Sequence, residues 1–173
     1  MMQVVPADPI VRANTIATAV FAIGAGAGAA VRSARPLAAV LSLAVFGMGV
    51  FAFISGYARA LERSRRDEIG TANLFLLTGQ TAPPDVKRVM LGLLGTQVAV
   101  AIAAAAVGFT GMAVDQVNPL AFAMLAPMCG LGMNGLWASR HGRFGPRILT
   151  PQPTRRSRRP RPEPEKEQST SHD

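Results

Sequence analysis

The sequence predicts an all-α integral membrane protein in which four helices cross the bilayer as a bundle. Charged residues make up 16% of the chain, whereas about 25% is usual in a soluble domain. The charges are also segregated, because four long stretches contain no Asp, Glu, Lys, Arg or His. A helix needs about 20 apolar residues to cross a hydrocarbon core about 30 Å thick, and each stretch is near or above that length.

These stretches divide the chain into a transmembrane domain at residues 13–139 and two flanking segments. The predicted helices cover about residues 13–31, 37–58, 89–111 and 118–138. Runs this long lack the alternating pattern of barrel strands, and a helix satisfies its own backbone groups in lipid. Residues 59–88 are predicted to form a cytoplasmic loop, residues 1–12 an N-terminal arm, and residues 140–173 a basic, Pro-rich, disordered tail.

The first stretch shares one feature with a signal peptide, because small residues near its end imitate a cleavage site at Gly28, Ala29 and Ala30. However, its apolar run is longer than the usual signal region of about 7 to 15 residues, and Asp8 and Pro9 weaken the basic segment expected before it. We therefore predict a retained helix, with cleavage near residue 31 as the alternative.

Small residues recur at four-residue spacing on two predicted helices. Gly24 and Gly28 form a GxxxG pattern in the first helix, and Gly95, Ala99 and Ala103 continue that spacing in the third. In lipid the hydrophobic effect does not drive helices together, so close van der Waals contact at such positions is a main attraction. The sequence therefore predicts that these five residues pack helices together. A general abundance of Ala and Gly is the alternative explanation.

A proline and two amides interrupt the third and fourth helices. Pro127 lacks a backbone N–H near the middle of the fourth helix, which predicts a kink or a locally open carbonyl. Gln97 in the third helix and Asn134 in the fourth place uncharged polar side chains at membrane depth. We expect both to form interhelical hydrogen bonds. The alternative is that they line a cavity at Pro127 and contact a solute.

The loop at residues 59–88 combines charged and apolar segments. Glu62 and Arg66 are four residues apart, which predicts an ion pair on a helix that extends out of the bilayer. The apolar run from Ile69 to Leu77 is too short to span, so it predicts a short helix that lies at the interface or packs on the bundle. Pro83 and Pro84 end this segment before the third helix.

Basic residues determine the predicted orientation. With both termini in the cytoplasm, Arg32 and Arg35 are the only ones of the 18 Lys and Arg residues that lie outside. Because short loops rich in Lys and Arg stay in the cytoplasm, we predict a multi-pass protein of the bacterial plasma membrane with N- and C-termini inside. Trp137 and Tyr57, near predicted cytoplasmic helix ends, are interpreted as interfacial anchors, with aromatic residues of a binding site as the alternative.

The predicted tail contains a cluster of arginines at Arg155, Arg156, Arg158 and Arg159. Such a cluster is predicted to contact anionic lipid headgroups, at about 1 kcal/mol for each charge near the surface. A solvated tail that only helps to set the topology is the alternative. Because the basic residues flank apolar stretches, the high pI indicates membrane orientation, and we do not expect nucleic-acid binding.

No spacing in the sequence matches a phosphate-binding loop, a zinc site or a nucleophile elbow. The two histidines, His141 and His172, are far apart in the chain. The single cysteine, Cys129, lies in an apolar stretch and is predicted to be a small packed residue. We therefore expect no enzymatic activity, no metal site and no cofactor.

Three sequence features together resemble a known group of proteins. They are the charge run from Arg63 to Glu68, the pair Pro83 and Pro84, and the stretch LGMNGLW from Leu131 to Trp137 followed by Arg140 and His141. Over about residues 10–147 this layout is similar to that of small four-span membrane proteins of actinobacteria. That family has no agreed activity, so the resemblance implies location and topology without a mechanism.

Three hypotheses of function follow. The first is a non-catalytic accessory or scaffold component of a larger membrane assembly, in contact with membrane lipid and with a membrane-protein partner or a second copy. The second is a small oligomeric channel or facilitator. Ion- and proton-coupled carriers usually keep an ionisable group at membrane depth, and the predicted spans contain none. The third is anionic-lipid sensing by the basic tail.

Overall fold

The structure, a computed structural model, describes residues 8–65, 67–110 and 118–146. Within these residues there are five α-helices: α1 (Pro9–Ala30), α2 (Arg35–Arg63), α3 (Thr71–Phe75), α4 (Pro84–Phe109) and α5 (Pro127–His141). Two short 3-10 helices cover Arg32–Ala34 and Pro119–Leu125. Two-residue strands β1 (Asp67–Glu68) and β2 (Gly145–Pro146) pair antiparallel.

Four helical stretches among the described residues are long and apolar enough to cross a membrane. They are Pro9–Ala30, Arg32–Arg63, Pro84–Phe109 and Pro119–His141. The prediction of a helical protein with four candidate spans is therefore confirmed. The first and fourth stretches are less apolar than the second and third. The fourth is also the most buried of the four, because the other helices surround much of α5.

Two helices begin earlier than the sequence predicts. α1 starts at Pro9, inside the predicted arm, because the carboxylate of Asp8 accepts a hydrogen bond from the backbone N–H of Ile10 at 2.8 Å. An aspartate at this position satisfies a donor that the first turn leaves free, and the proline after it has a backbone angle suited to a helix. α4 starts at Pro84, inside the predicted loop, with Asp85 in its first turn.

The fourth span is divided into two elements. Residues Pro119–Leu125 form a 3-10 helix, and the α-helix α5 begins at Pro127. The predicted break at Pro127 is present, because a proline can start a helical segment but cannot donate a backbone hydrogen bond within one. The structure therefore corrects the prediction of a single helix over residues 118–138.

Helices α2 and α5 form the most extensive contact in the described bundle. A Cβ atom added to Gly49 would lie 2.5 Å from the backbone of Cys129, and one added to Gly56 would lie 2.7 Å from the backbone of Gly135. A Cβ atom added to Gly132 would lie 2.1 Å from the carbonyl oxygen of Gly49. The two backbones are therefore in direct contact, which only residues without side chains permit.

The predicted small-residue positions behave differently on α1 and α4. Gly24 and Gly28 face α2, where an added Cβ would lie 2.7 Å from Leu41 and 2.8 Å from Ala38. Gly95, Ala99 and Ala103 are exposed instead, so they do not pack α4 against another described helix. The buried face of α4 is formed by Met90, Gln97, Ala101, Ala104, Ala105 and Gly108. Four-residue spacing defines a face of a helix but does not indicate which side turns inward.

The folded part of the chain extends beyond the predicted start of the tail. α5 continues through His141, and the pairing of Asp67 with Pro146 joins the end of the chain's described part to the loop after α2. Residues 140–146 therefore belong to the bundle rather than to the tail. The predicted pair of Glu62 and Arg66 involves a residue outside the described ranges. The predicted headgroup contacts Arg155, Arg156, Arg158 and Arg159 also lie outside them.

Candidate functional site

Polar groups from three helices meet in the interior of the bundle around Gln97. This residue is fully buried. Its Nε2 donates to Thr18 Oγ1 at 2.7 Å and to Asn14 Oδ1 at 3.2 Å. Its Oε1 accepts a hydrogen bond from the backbone N–H of Gly130 at 2.9 Å. We refer to Asn14, Thr18, Gln97 and the N–H of Gly130 as the polar cluster.

The polar cluster exists because α5 begins inside the bundle. An α-helix leaves its first N–H groups without partners in the helix, and leaving such a donor unsatisfied in apolar surroundings costs free energy. The N–H of Cys129 bonds to the carbonyl of Ala126 at 2.9 Å. The N–H of Gly130 is the next donor, and the side chain of Gln97 satisfies it. Gln97 thus forms the predicted contact between helices.

Asn134 holds the short helix α3 against α5. Its Nδ2 donates to the carbonyl oxygen of Phe75 at 3.0 Å, while its Oδ1 has no partner among the described residues. The ring of Phe75 lies over Gly135, where an added Cβ would be 2.5 Å from the ring, and stacks on Phe53 with a centroid distance of 4.4 Å. α3 therefore packs on the bundle. This was one of the two positions that the sequence predicted for it, and the other was the membrane interface.

Arg63 joins the ends of α2 and α5. Its guanidinium donates to the carbonyl oxygens of Ser139 at 2.9 Å and Gly142 at 3.3 Å. It also pairs with Asp67 at 3.2 Å and lies 5.2 Å from the ring centroid of Phe144. The last carbonyls of a helix lack intrahelical partners and carry partial negative charge, so a cation stabilises this end of α5.

An open cleft of about 570 Å³ lies at this end of the bundle. Residues 79–84 form one side of it, and Trp137, His141 and Arg143 line the other. We call this feature the end cleft. The indole Nε1 of Trp137 donates to Asp8 Oδ2 at 2.9 Å, and the same oxygen lies 3.7 Å from His141 Nδ1.

The position of Trp137 corrects its interpretation as an interfacial anchor. Only 4% of the residue is exposed, because its ring packs inside the bundle and its N–H bonds to Asp8. An anchor would instead present its ring to the lipid interface. Tyr57 is 47% exposed, in keeping with an outward position near the end of α2.

Sequence reasoning did not predict the end cleft, and it missed Asp8, Asn14 and Thr18 among the residues that form hydrogen bonds in these sites. Asp8 directly precedes Pro9, and this pair is a recognised signal for the start of a helix. Asn14 and Thr18 are four residues apart and so share one helix face. Both signals were present, but the predicted boundary near residue 13 placed Asp8 outside the helix and Asn14 at its edge.

The described residues contain no group of three or more His, Cys, Asp or Glu side chains placed to hold a metal ion. Cys129 is fully buried, with its backbone against Gly49, as expected for a packed residue. Within the described residues, helices are joined by the amides of Gln97 and Asn134, by close glycine contacts, and by the hydrogen bonds from Arg63 to the carbonyls of Ser139 and Gly142.

These features define a helical protein with four candidate membrane spans. Its helices are joined by the buried polar cluster and, at one end, by the guanidinium of Arg63. The chain matches no family model, no curated protein and no solved structure. The resemblance to four-span proteins of actinobacteria stays a prediction.

Proposed function

We propose that this protein is a non-catalytic accessory or scaffold component of a larger assembly in the bacterial plasma membrane. The outward face of α4 carries the proposal. Gly92, Gly95, Ala99 and Ala103 are all exposed on it. A Cβ atom added to Gly92 or Gly95 would meet no described atom within 4 Å. We call these four residues the small-residue face.

The small-residue face has the properties of a contact for a transmembrane helix of a partner protein. Its residues are spaced three or four apart, so they share one side of α4. Small side chains let a second helix approach closely, and close packing is a main source of helix association in lipid. The opposite side of α4 contains Gln97 and already packs against α1 and α5.

The distribution of charge supports a cytoplasmic position for the end that carries the end cleft. The bonds from Trp137 to Asp8 and from Arg63 to Ser139 bring the start of α1 and the ends of α2 and α5 together. The exposed cations at this end include Arg12, Arg59, Arg65, Arg140 and Arg143. The opposite end has Arg32 and Arg35 before and at the start of α2. By the positive-inside rule, this distribution supports a cytoplasmic position for both described chain ends.

A small oligomeric channel or facilitator is the second candidate, and it has less support. Gln97 and Asn134 are fully buried, and each uses its amide nitrogen in a bond within the chain. A water-filled path through one chain would require such groups to face the path. A pore would therefore have to form between several copies. Lipid sensing by the tail stays a prediction, because its arginines lie outside the described residues.

Substitutions on the small-residue face test the proposed role. Gly95→Leu and Ala99→Leu should lower recovery of the partner protein about tenfold in a mild-detergent pull-down from native membranes, which corresponds to about 1.4 kcal/mol of binding free energy. Both changes add apolar volume to an exposed position, so the chain should still insert and fold.

Gly47→Leu is the matched control, because Gly47 is exposed on α2 and its added Cβ would also meet no described atom within 4 Å. This variant should recover the partner normally. Purification of the unsubstituted chain as a monodisperse particle without partners would contradict the proposal, and so would equal loss in all three variants.

A further inference from the structure

We infer that the end cleft binds a phosphate ester, supplied either by the headgroup of an anionic phospholipid or by a soluble compound. This inference is independent of the proposed scaffold role, because the cleft and the small-residue face share no residue. The cleft volume of about 570 Å³ lies within the range of about 300–1,000 Å³ that is usual for ligand pockets.

Arg143 supplies the main charge of the end cleft. Its side chain is exposed and makes no hydrogen bond or ion pair with any residue that the structure describes. Its backbone N–H donates to the carbonyl of Thr81 at 3.1 Å, which anchors Arg143 to the opposite wall. A guanidinium can donate two parallel hydrogen bonds to a phosphate group. Arg143 suits this ligand because its backbone is held in place while its side chain has no partner in the described residues.

The turn at Gly79 and Gln80 adds neutral donors to the opposite wall. Gly79 has a φ angle of 65°, a left-handed conformation that a glycine adopts without steric cost. Neither Gly79 nor Gln80 donates its backbone N–H to another residue in the described ranges. Free N–H groups of a turn attract anions, and α4 begins directly afterwards at Pro84 with the positive end of its helix dipole.

The two acids that adjoin the end cleft already have donors. One oxygen of Asp8 accepts from the backbone N–H of Ile10, and the other accepts from Trp137 and faces His141. Asp85, next to the lining residue Pro84, pairs with Arg88 at 3.5 Å. Neither carboxylate forms an ion pair with Arg143, so its guanidinium is available to an anionic ligand. One wall of the end cleft carries Arg143, and the other contains Gly79 and Gln80, whose backbone N–H groups have no acceptor in the described ranges.

Trp137 makes the inference directly testable, because it lines the end cleft and is the only tryptophan in the chain. The full-length protein in nanodiscs of zwitterionic lipid is titrated with glycerol 3-phosphate. In a second arm, the nanodiscs contain increasing fractions of phosphatidylglycerol. A saturable change in tryptophan fluorescence in either arm supports the inference, and the arm that responds identifies the source of the phosphate. No saturable change in either arm would overturn it.

Two arginine variants separate a defined site from general attraction to a basic surface. Arg143→Gln should weaken the fluorescence-detected affinity about tenfold, as expected for the loss of a charge-assisted hydrogen bond. Arg140→Gln should leave the affinity unchanged, because Arg140 is exposed nearby but does not line the cleft. Equal weakening in both variants would overturn the site. Thermal unfolding of both variants should match that of the unsubstituted protein, because neither side chain makes a bond within the described fold.

Discussion

At Gln97 one amide satisfies groups from two other helices. Its oxygen accepts the N–H of Gly130 in α5, and its nitrogen donates to Asn14 and Thr18 in α1. The amide is completely buried, so each of these groups would lose a partner, with no water to replace it, if the amide were removed. The residue therefore joins three helices through a side chain that lies wholly inside the bundle.

Gln97→Met tests this role, because methionine has a similar length and no strong donor. We expect the variant to lower the free energy of unfolding by about 2 kcal/mol, since the buried N–H of Gly130 would be left without an acceptor. Unfolding by SDS in mixed micelles measures the change.

The adjacent change Thr96→Val is the control for Gln97→Met. Thr96 is exposed, and its hydroxyl bonds only to the carbonyl of Gly92 in its own helix at 2.9 Å. Its substitution should alter stability by less than about 0.5 kcal/mol. Equal effects of the two substitutions would show that the polar cluster contributes nothing specific.

Part of this residue-scale detail could be predicted from the sequence. Gln97 and Asn134 are isolated amides in apolar stretches, which is enough to predict hydrogen bonds between helices. Their partners could not be predicted, because the N–H of Gly130 and the carbonyl of Phe75 are backbone groups that every sequence contains. They become partners only because α5 starts inside the bundle and α3 folds back onto it.

At the scale of elements, α2 shows how position on a helix decides the effect of a glycine. Gly49 faces α5, where an added Cβ would lie 2.5 Å from the backbone of Cys129. Gly47, two residues away, points outward, and an added Cβ would meet no described atom within 4 Å. The two positions form a matched pair within one helix.

Gly49→Ala should lower the free energy of unfolding by about 1–3 kcal/mol, because the backbone of α5 must move to accommodate the added methyl group. Gly47→Ala should raise it by about 0.5–1 kcal/mol, because alanine is the better helix former and has open space. Both are measured by SDS unfolding in mixed micelles. An unaffected Gly49→Ala protein would show that the α2 and α5 backbones are not in contact at Gly49. A destabilised Gly47→Ala protein would show that Gly47 does not face open space.

Element boundaries were predicted less well than element identity. The predicted start of α1 follows the apolar run, but the carboxylate of Asp8 extends the helix to Pro9. The side of α4 that packs within the described bundle could not be predicted either, since the spacing of Gly95, Ala99 and Ala103 defines a face without its direction. In lipid both faces of a helix can be apolar, so hydropathy does not distinguish the side that contacts protein from the side that contacts lipid.

At the scale of the whole molecule, the four candidate spans could be predicted because length and apolar character are local properties of the sequence. The arrangement of the spans could not. The closest helix pair is α2 and α5, which are separated in the chain by α3 and α4. The contact between α2 and α5 depends on where glycines of the two helices face each other. No single stretch of sequence contains that information.

The proposed topology is tested by labelling single cysteines in a Cys129→Ala background. Ser33 lies between α1 and α2, Gln80 lies at the end cleft, and both are exposed. Each is replaced in turn by cysteine, as Ser33→Cys and Gln80→Cys. In intact cells Ser33→Cys should react with a membrane-impermeant maleimide, because its end of the bundle is predicted to be extracytoplasmic. Gln80→Cys should react only after lysis. The opposite pattern would reverse the orientation and place the cationic end outside the cell.

The division of the fourth span at Pro127 has a consequence for biosynthesis. Of the four candidate spans it is the last to leave the ribosome, yet it supplies the N–H of Gly130 that occupies the amide oxygen of Gln97. A nascent chain that has inserted only the first three spans therefore exposes a glutamine that still lacks this donor. Arrival of the fourth span completes the buried contact, so a chain interrupted before residue 119 would leave the amide oxygen of Gln97 without this donor.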